Sequence, residues 1–297
     1  RVYVWFEAVQ GYYTCARIWA EEYADDAGHP DGNDAWGRWW KISEDGEEPK
    51  HIYFMGKDNI PFHTIIWPAI IMGMNSVNSD DMITHLPVPG HLALENNVPA
   101  NEYLMLQGGQ FSKSRRHAVW LPSFLSRFDP DTLRYYLSIN MPEGHDTDFR
   151  WDEFVDRVNN ELIGTYANFV HRVMTLAHRL PSDGGNPLSS FFDPEYFQEY
   201  SSKVQELMTD AIQSMERQRF KEALRSIMSI AQLGNSILQT AAPWEHLQDN
   251  DSDEARESLS ALAYSWSLCR GLAVTLRPFI PFQSDRLWTM LGEGDDI

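Results

Sequence analysis

The apolar positions change rhythm once along this chain. Up to about residue 110, short apolar runs rich in aromatic and β-branched residues alternate with stretches at helical spacing. Val2-Tyr3-Val4-Trp5-Phe6 reads as a strand buried on both faces of a parallel sheet. A helix is expected from about Thr14 to Tyr23, after Gly11-Tyr12-Tyr13. The stretch 25–50 is rich in Asp, Gly and Glu and reads as a surface loop with a short helix, with Trp36, Trp39 and Trp40 embedded. Ile52-Tyr53-Phe54-Met55 is the next buried strand. Gly56-Lys57-Asp58-Asn59 turns it into a helix that opens at Pro61 and passes Trp67 to about Met72. Another short strand precedes Leu86 and is broken by Pro87-Val88-Pro89-Gly90. Tyr103-Leu104-Met105-Leu106 is a further strand, ending at Gln107-Gly108-Gly109. Strands alternating with helices predict a parallel α/β sheet.

From Trp151 the period is helical. Trp151, Phe154, Val155, Val158, Leu162, Tyr166, Phe169, Val173 and Leu176 fall at steps of three and four. The same spacing recurs from Phe220 to Leu238 and from Leu259 to Leu276. This predicts a bundle of about four or five helices. Its breaks are Pro181-Ser182-Asp183-Gly184-Gly185 and Gln248-Asp249-Asn250-Asp251. The expected organisation is an α/β part over 1–115, a linking segment over 116–150 and a helical part over 151–297.

Composition narrows the partners. At 297 residues and 43% hydrophobic, the chain is long enough for two cores. No uninterrupted apolar run reaches the ~18 residues needed to cross a bilayer, so no membrane partner is expected. Cys15 and Cys269 are far apart, which argues against a disulfide framework or a zinc site and fits a cytoplasmic protein. The net charge is −19, and only Lys41, Lys50, Lys57, Lys113, Lys203 and Lys221 supply lysine. Taken alone, this opposes nucleic-acid binding, which needs clustered Lys and Arg. It fits a high-salt surface and a merely acidic protein equally well.

Two strings carry candidate chemistry. Gln110-Phe111-Ser112-Lys113-Ser114-Arg115 places one lysine between two serines on a loop that leaves a strand. A cation on such a loop can stabilise charge that develops on transferring phosphates, with Ser112 and Ser114 as donors. Lys113 is thus the catalytic candidate, against the plainer reading of a solvated side chain. Phe54-Met55-Gly56-Lys57-Asp58-Asn59-Ile60-Pro61-Phe62-His63 is a strand-to-helix turn, the place where α/β folds bind nucleotides. Read locally, Asp58 is equally a helix cap and His63 a satisfied core histidine. Trp5, Ala8 and Tyr12 can wall an apolar pocket suited to a flexible thioether, or can be plain core residues. In the helical part, Ala241-Ala242-Pro243 ends a helix and presents Trp244, an indole able to stack on an unpaired base.

Phe111-Ser112-Lys113-Ser114-Arg115 resembles the KMSKS signature of class I aminoacyl-tRNA synthetases, with Gln110 in place of its first lysine. Val4-Trp5-Phe6-Glu7-Ala8, Gly11-Tyr12, Met55-Gly56-Lys57-Asp58-Asn59-Ile60, Phe62-His63 and Trp67-Pro68-Ala69 together resemble methionyl-tRNA synthetase. Val98-Pro99-Ala100-Asn101-Glu102, Leu133-Arg134-Tyr135-Tyr136-Leu137, Met141-Pro142-Glu143 and Asp146-Thr147-Asp148-Phe149 agree. The resemblance implies half of a Rossmann-type catalytic domain followed by an all-α anticodon-binding bundle. It implies a methionine pocket of Trp5, Ala8, Val9, Tyr12 and His63, with Val9 where some members carry proline. Lys57, Asp58, Ser112, Lys113 and Ser114 would face ATP. Asn168, Arg172 and Trp244 would read the anticodon of tRNA(Met), and Arg157, Arg172 and Arg179 would form part of a local basic path. The implied reaction activates methionine with ATP and Mg²⁺ and transfers it to tRNA. The alternatives are a synthetase for Leu, Ile or Val, and a non-catalytic tRNA-binding fragment.

The family's His-Ile-Gly-His-like string has no counterpart, and His91 stands elsewhere. The resemblance therefore implies an N-terminally truncated chain. The half that carries that string, the aspartate for the substrate amino group and a zinc-bearing insertion would be missing, and the chain would be inactive alone.

Overall fold

A segment becomes helix or strand according to where its backbone donors and acceptors find partners. The computed structural model describes residues 4–77, 88–180, 188, 190–247 and 252–294. Val2 and Tyr3, the strand expected before Leu86, Pro87, and the breaks at 181–185 and 248–251 lie outside the described residues. The chain divides into two compact units, Arg1–Tyr103 and Leu104–Ile297.

In the first unit, α1 (Val4–Ala8) is helical where a strand was expected. A parallel strand needs a neighbour for its ladder bonds, and none of the described strands pairs with it. It closes its bonds locally, the Val9 N–H donating to the Trp5 carbonyl at 3.3 Å, and Val4 and Phe6 are exposed. Helix α2 is Gly11–Tyr23. The tryptophans of the following segment are not all at the surface. Trp36 and Trp40 are four apart at the ends of a helical turn that includes α3 (Gly37–Trp40), so they share a face and are buried; only Trp39 is exposed. Tyr13 of α2 meets both buried rings edge-on, each at 5.4 Å.

The strand expected over 52–55 is displaced toward its end. β1 (Met55–Gly56) runs parallel to β2 (Ala100–Asn101), with Ile52 bridging to Asn97 ahead of it. Tyr53 and Met55 donate to the Asn97 and Pro99 carbonyls at 3.0 and 3.2 Å. Pro99 serves here as an acceptor, which needs no N–H. Beyond β1 the chain stays helical through a wide π turn at Phe62–Ile66 into α4 (Trp67–Val77). Pro68 accounts for the wide turn, because it offers no N–H to the Thr64 carbonyl and crowds it. By length and composition, Lys57–Val77 is apolar enough to cross a membrane, although no uninterrupted apolar run is. Its inner face is engaged within this unit. Trp67 and Ile71 are buried, and Trp67 Nε1 donates to the Tyr53 hydroxyl at 3.0 Å. The Asn75 side chain exchanges two bonds with the Leu92 backbone, at 3.0 and 2.8 Å.

In the second unit, β3 (Leu104–Leu106) runs parallel to β4 (Thr147–Phe149). After the short α5 (Leu121–Leu125), α6 (Pro130–Ile139) buries Tyr136 edge-on against Phe149 and Phe154, at 5.1 and 5.5 Å. The Asp129 carboxylate caps α6 by accepting from the Asp131 N–H at 2.9 Å. Asp131 is itself fully buried, and burial holds its carboxyl above the usual range.

Helix α7 (Trp151–Arg157), a π-helical segment (Val158–Ala167) and α8 (Asn168–Ala177) form one unbroken rod. Phe154, Val158, Leu162, Tyr166, Phe169, Val173 and Leu176 of the expected stripe are buried, whereas Trp151 and Val155 are exposed. Helices α9 (Gln198–Glu216), α10 (Phe220–Ala241), α11 (Asp253–Leu276) and α12 (Pro281–Met290) follow. α10 packs against α9, α11, α6 and the rod. It comes close to the rod at Gly234, where a Cβ would lie 2.3 Å from the Phe169 ring. Gly234→Ala should therefore cost about 1–3 kcal/mol, the usual size of core overpacking. Equilibrium urea unfolding checks this, and an unchanged midpoint would mean that the ring has room to move.

Candidate functional site

Polar groups beside buried aromatics must find partners, and this rule orders the first candidate site. Trp5 of α1 stacks on Phe62 at 5.1 Å between centroids. Tyr12, at the head of α2, lies 5.0 Å from Tyr53 and 5.6 Å from His63. His63 is buried, at 3% exposure, on the wide turn before α4. Its Nδ1 lies 2.9 Å from the Asn59 carbonyl, which can only accept, so in the neutral ring the proton sits on Nδ1. Nε2 then accepts from the Tyr12 hydroxyl at 2.9 Å. Ala8 is exposed at the end of α1, while Val9 is buried at 1% exposure. The result is an aromatic wall with a polar edge, suited to a polarisable side chain. Tyr53, whose hydroxyl burial pushes up, joins the wall. Nothing in the sequence marks it apart from its place in an apolar run.

Lys57 and Asp58 stand at the carboxyl end of β1, each with a partner from the β2 side. Lys57 pairs with Glu102 and lies 4.4 Å from the centre of the Tyr103 ring. Tyr103 donates its hydroxyl to Asp58 at 2.5 Å. Asp58 therefore makes a tertiary bond and is not a helix cap of this turn. Glu102 and Tyr103 fit no local pattern. Their partners are forty-five residues back, a separation that periodicity does not reach.

The lysine loop belongs to the second unit. It is a closed turn, with Ser112 and His117 exchanging backbone bonds at 2.9 Å each. His117 Nε2 lies 2.7 Å from the Leu106 carbonyl, and the Gly108 N–H donates to Asp148 at 2.8 Å. Gly108 holds φ +77, a left-handed conformation that suits glycine. Lys113 and Ser114 are exposed, and the Ser112 and Ser114 hydroxyls lie 3.2 Å apart. An open cavity of about 520 Å³ adjoins Lys113 and is lined by Phe111, Trp120 and Leu121 among others.

The third candidate lies on the helical part. Ala242 takes a left-handed conformation at the end of α10 (φ 45), and Pro243 follows, so Trp244 is presented on a tight turn. The indole is 38% exposed, with the Arg172 guanidinium 5.4 Å from its centre. Arg172 and Asn168 share one face of α8, and both donate to Asn235 of α10. The structure thus brings together all three expected residues. The expected basic path loses one member: Arg157 donates to Glu153 and Glu161 at 2.9 Å each, which compensates its charge. Arg179 is exposed. Among the described residues, no three His, Cys, Asp or Glu side chains are grouped to hold a metal ion.

Residues 1–174 match the family described as tRNA synthetases class I (M), and residues 194–297 match the anticodon binding domain of methionyl tRNA ligase. The methionine–tRNA ligase of Dehalococcoides mccartyi strain 195 is 40% identical over all of this chain and 48% of its own length. That of Roseiflexus sp. strain RS-1 is 37% identical over all of this chain and 45% of its own. The chain spans about half the length of the curated relatives it matches. The fold is similar to that of Mycobacterium tuberculosis methionyl-tRNA synthetase in complex with methionyl-adenylate. The TM-score is 0.74 at 20% identity, over 98% of this chain and 50% of that one.

Tyr12→Phe leaves His63 Nε2 without its donor. The expected loss is about 1–2 kcal/mol of folding stability, read as a lower urea midpoint. An equal midpoint would show that water replaces the hydroxyl.

Proposed function

This chain belongs to the tRNA synthetases class I (M) family, and from that premise we propose that its protein is a methionine–tRNA ligase. The observation that carries the proposal is the union, in order on one chain, of the class I (M) match and the methionyl anticodon-domain match. The chemistry has two steps. The methionine carboxylate attacks the α-phosphorus of ATP, and pyrophosphate leaves as the bond to its bridging oxygen breaks. A terminal ribose hydroxyl of tRNA(Met) then attacks the acyl carbon, AMP leaves, and the hydroxyl proton passes to solvent. Mg²⁺ enters with the ATP phosphates.

The wall of Trp5, Tyr12 and His63, with Ala8, supports a role in holding the methionine side chain. Its aromatic faces and edges pack well against a thioether sulfur. Val9 would act from behind that wall, as its filling. Lys57 and Asp58 sit at the carboxyl end of a parallel strand, where α/β sheets bind nucleotides, which supports an adenylate-side role. Lys113 projects from an ordered turn into solvent, as a cation that meets the phosphates must. Gln110 stands where the signature has its first lysine, so this loop stabilises the leaving pyrophosphate with one charge fewer. Asn168, Arg172 and Trp244 form a polar and aromatic surface suited to an unpaired base, the usual target of sequence-specific RNA recognition.

In the full-length protein, Lys113→Ala should slow methionine-dependent pyrophosphate exchange by about 10²–10³-fold, the usual effect of deleting one transition-state donor. Unchanged exchange would remove Lys113 from the chemistry. Trp244→Ala should weaken tRNA binding and spare exchange; equal loss in both assays would make Trp244 a structural residue. Leucine or isoleucine supporting exchange as well as methionine does would favour the alternative amino acids.

A further inference from the structure

We propose that Asn235 is a positioning residue that sets which hydrogen-bonding edge Asn168 and Arg172 turn toward a base stacked on Trp244. The proposal deepens the anticodon reading above and rests on it.

The orientation of Asn235 follows from what surrounds it. Its amide nitrogen donates to two backbone carbonyls, Thr165 at 2.9 Å and Ala231 at 3.2 Å. Carbonyls only accept, so the NH₂ group is held on that side and Oδ1 points the other way. There it accepts from Asn168 Nδ2 at 3.2 Å and Arg172 Nη1 at 3.3 Å. Thr165 lies in the π-helical segment of the rod, where the backbone ladder is shifted by one residue. The residue before Asn235, Gly234, lies against Phe169 with no room for a Cβ, and Asn235 reaches across beside that contact to Thr165.

Two consequences reach the exposed surface. With Nδ2 turned to Asn235, the amide of Asn168 directs its oxygen away, as an acceptor, from an exposed side chain. Arg172 beside it supplies donors. An acceptor at Asn168 meets the exocyclic amino group of cytosine while Arg172 donates to its ring acceptors; in the same register uracil sets its O4 acceptor against the Asn168 acceptor. The second consequence is electrostatic. Arg172 is oriented by neutral amides, Asn235 and Gln239, the latter at 3.4 Å. Arg157 on the same rod is instead held by two carboxylates. In a chain of net charge −19, this arrangement orients a guanidinium without cancelling the charge that an RNA backbone needs.

The test uses the full chain and two short RNA hairpins that carry the methionine anticodon loop and differ only by cytosine or uracil at its first base. Asn235→Ala is expected to reduce the cytosine-to-uracil affinity ratio by about tenfold, the scale of one lost bidentate-type discrimination. Alanine suits a helix interior, but losing the bonds to Thr165 and Ala231 should lower the thermal midpoint by a few degrees, a change that alone would not alter the ratio between the two hairpins. Asn235→Asp sets an oxygen where the NH₂ group faced the Thr165 and Ala231 carbonyls and adds a charge beside Arg172, so it should lose the ratio as Asn235→Ala does and weaken both hairpins further. Parent and Asn235→Ala chains with the same ratio would overturn the positioning role. So would equal weakening of both hairpins in Asn235→Ala with a lowered midpoint. A parent chain that binds both hairpins alike, and is indifferent to Trp244→Ala, would instead overturn the anticodon reading itself.

Discussion

The second unit depends on how near α10 comes to the long rod. At Gly234 no side chain separates the helix from the Phe169 ring, and the buried stripe of α10, from Ala223 to Leu238, packs around that point. Interaxial distance in helix packing is set by the side chains at the contact. One missing Cβ thus brings two polar faces within hydrogen-bonding range. Asn168, Arg172, Asn235 and Gln239 meet because apolar neighbours one residue away allow it. Core packing and candidate recognition surface are consequences of the same approach.

The first unit obeys a different constraint. Its core is aromatic, and several of the rings carry a polar atom that must be satisfied. Trp67 donates to Tyr53, and Tyr12 donates to His63, which in turn is tied to its own helix at Asn59. These bonds fix ring orientations that stacking alone would leave free. The charged residues nearby, Lys57 and Asp58, are likewise held by Glu102 and Tyr103.

Much of this was legible in the residues. The helical stripe from Trp151 is visible because burial follows a short, regular period, and Phe169, Val173 and Leu176 are where it puts them. The turn after Met55 is visible because Gly, Asp, Asn and Pro have local preferences. What was not legible depends on distant partners. Val4–Phe6 has the composition of a strand, yet its state is decided by whether another strand lies alongside. Trp36 and Trp40 fall in a polar segment, and only Tyr13 and its neighbours make them core. Glu102, Tyr103, His117 and Asn235 act through contacts that no local pattern announces. The wide turns at Phe62–Ile66 and Val158–Ala167 are equally silent, although Pro68 marks the first once the helix is seen to run through it.

The lysine loop shows what an ordered turn changes in time as well as in space. Ser112 and His117 close it, and His117 and Asp148 fasten its base. Fixing one backbone residue costs about 1–2 kcal/mol of conformational entropy, and here that ordering belongs to folding. In the proposed reaction, Lys113 would meet the phosphates from a turn that is already closed, so the encounter would need no search among backbone conformations of the loop.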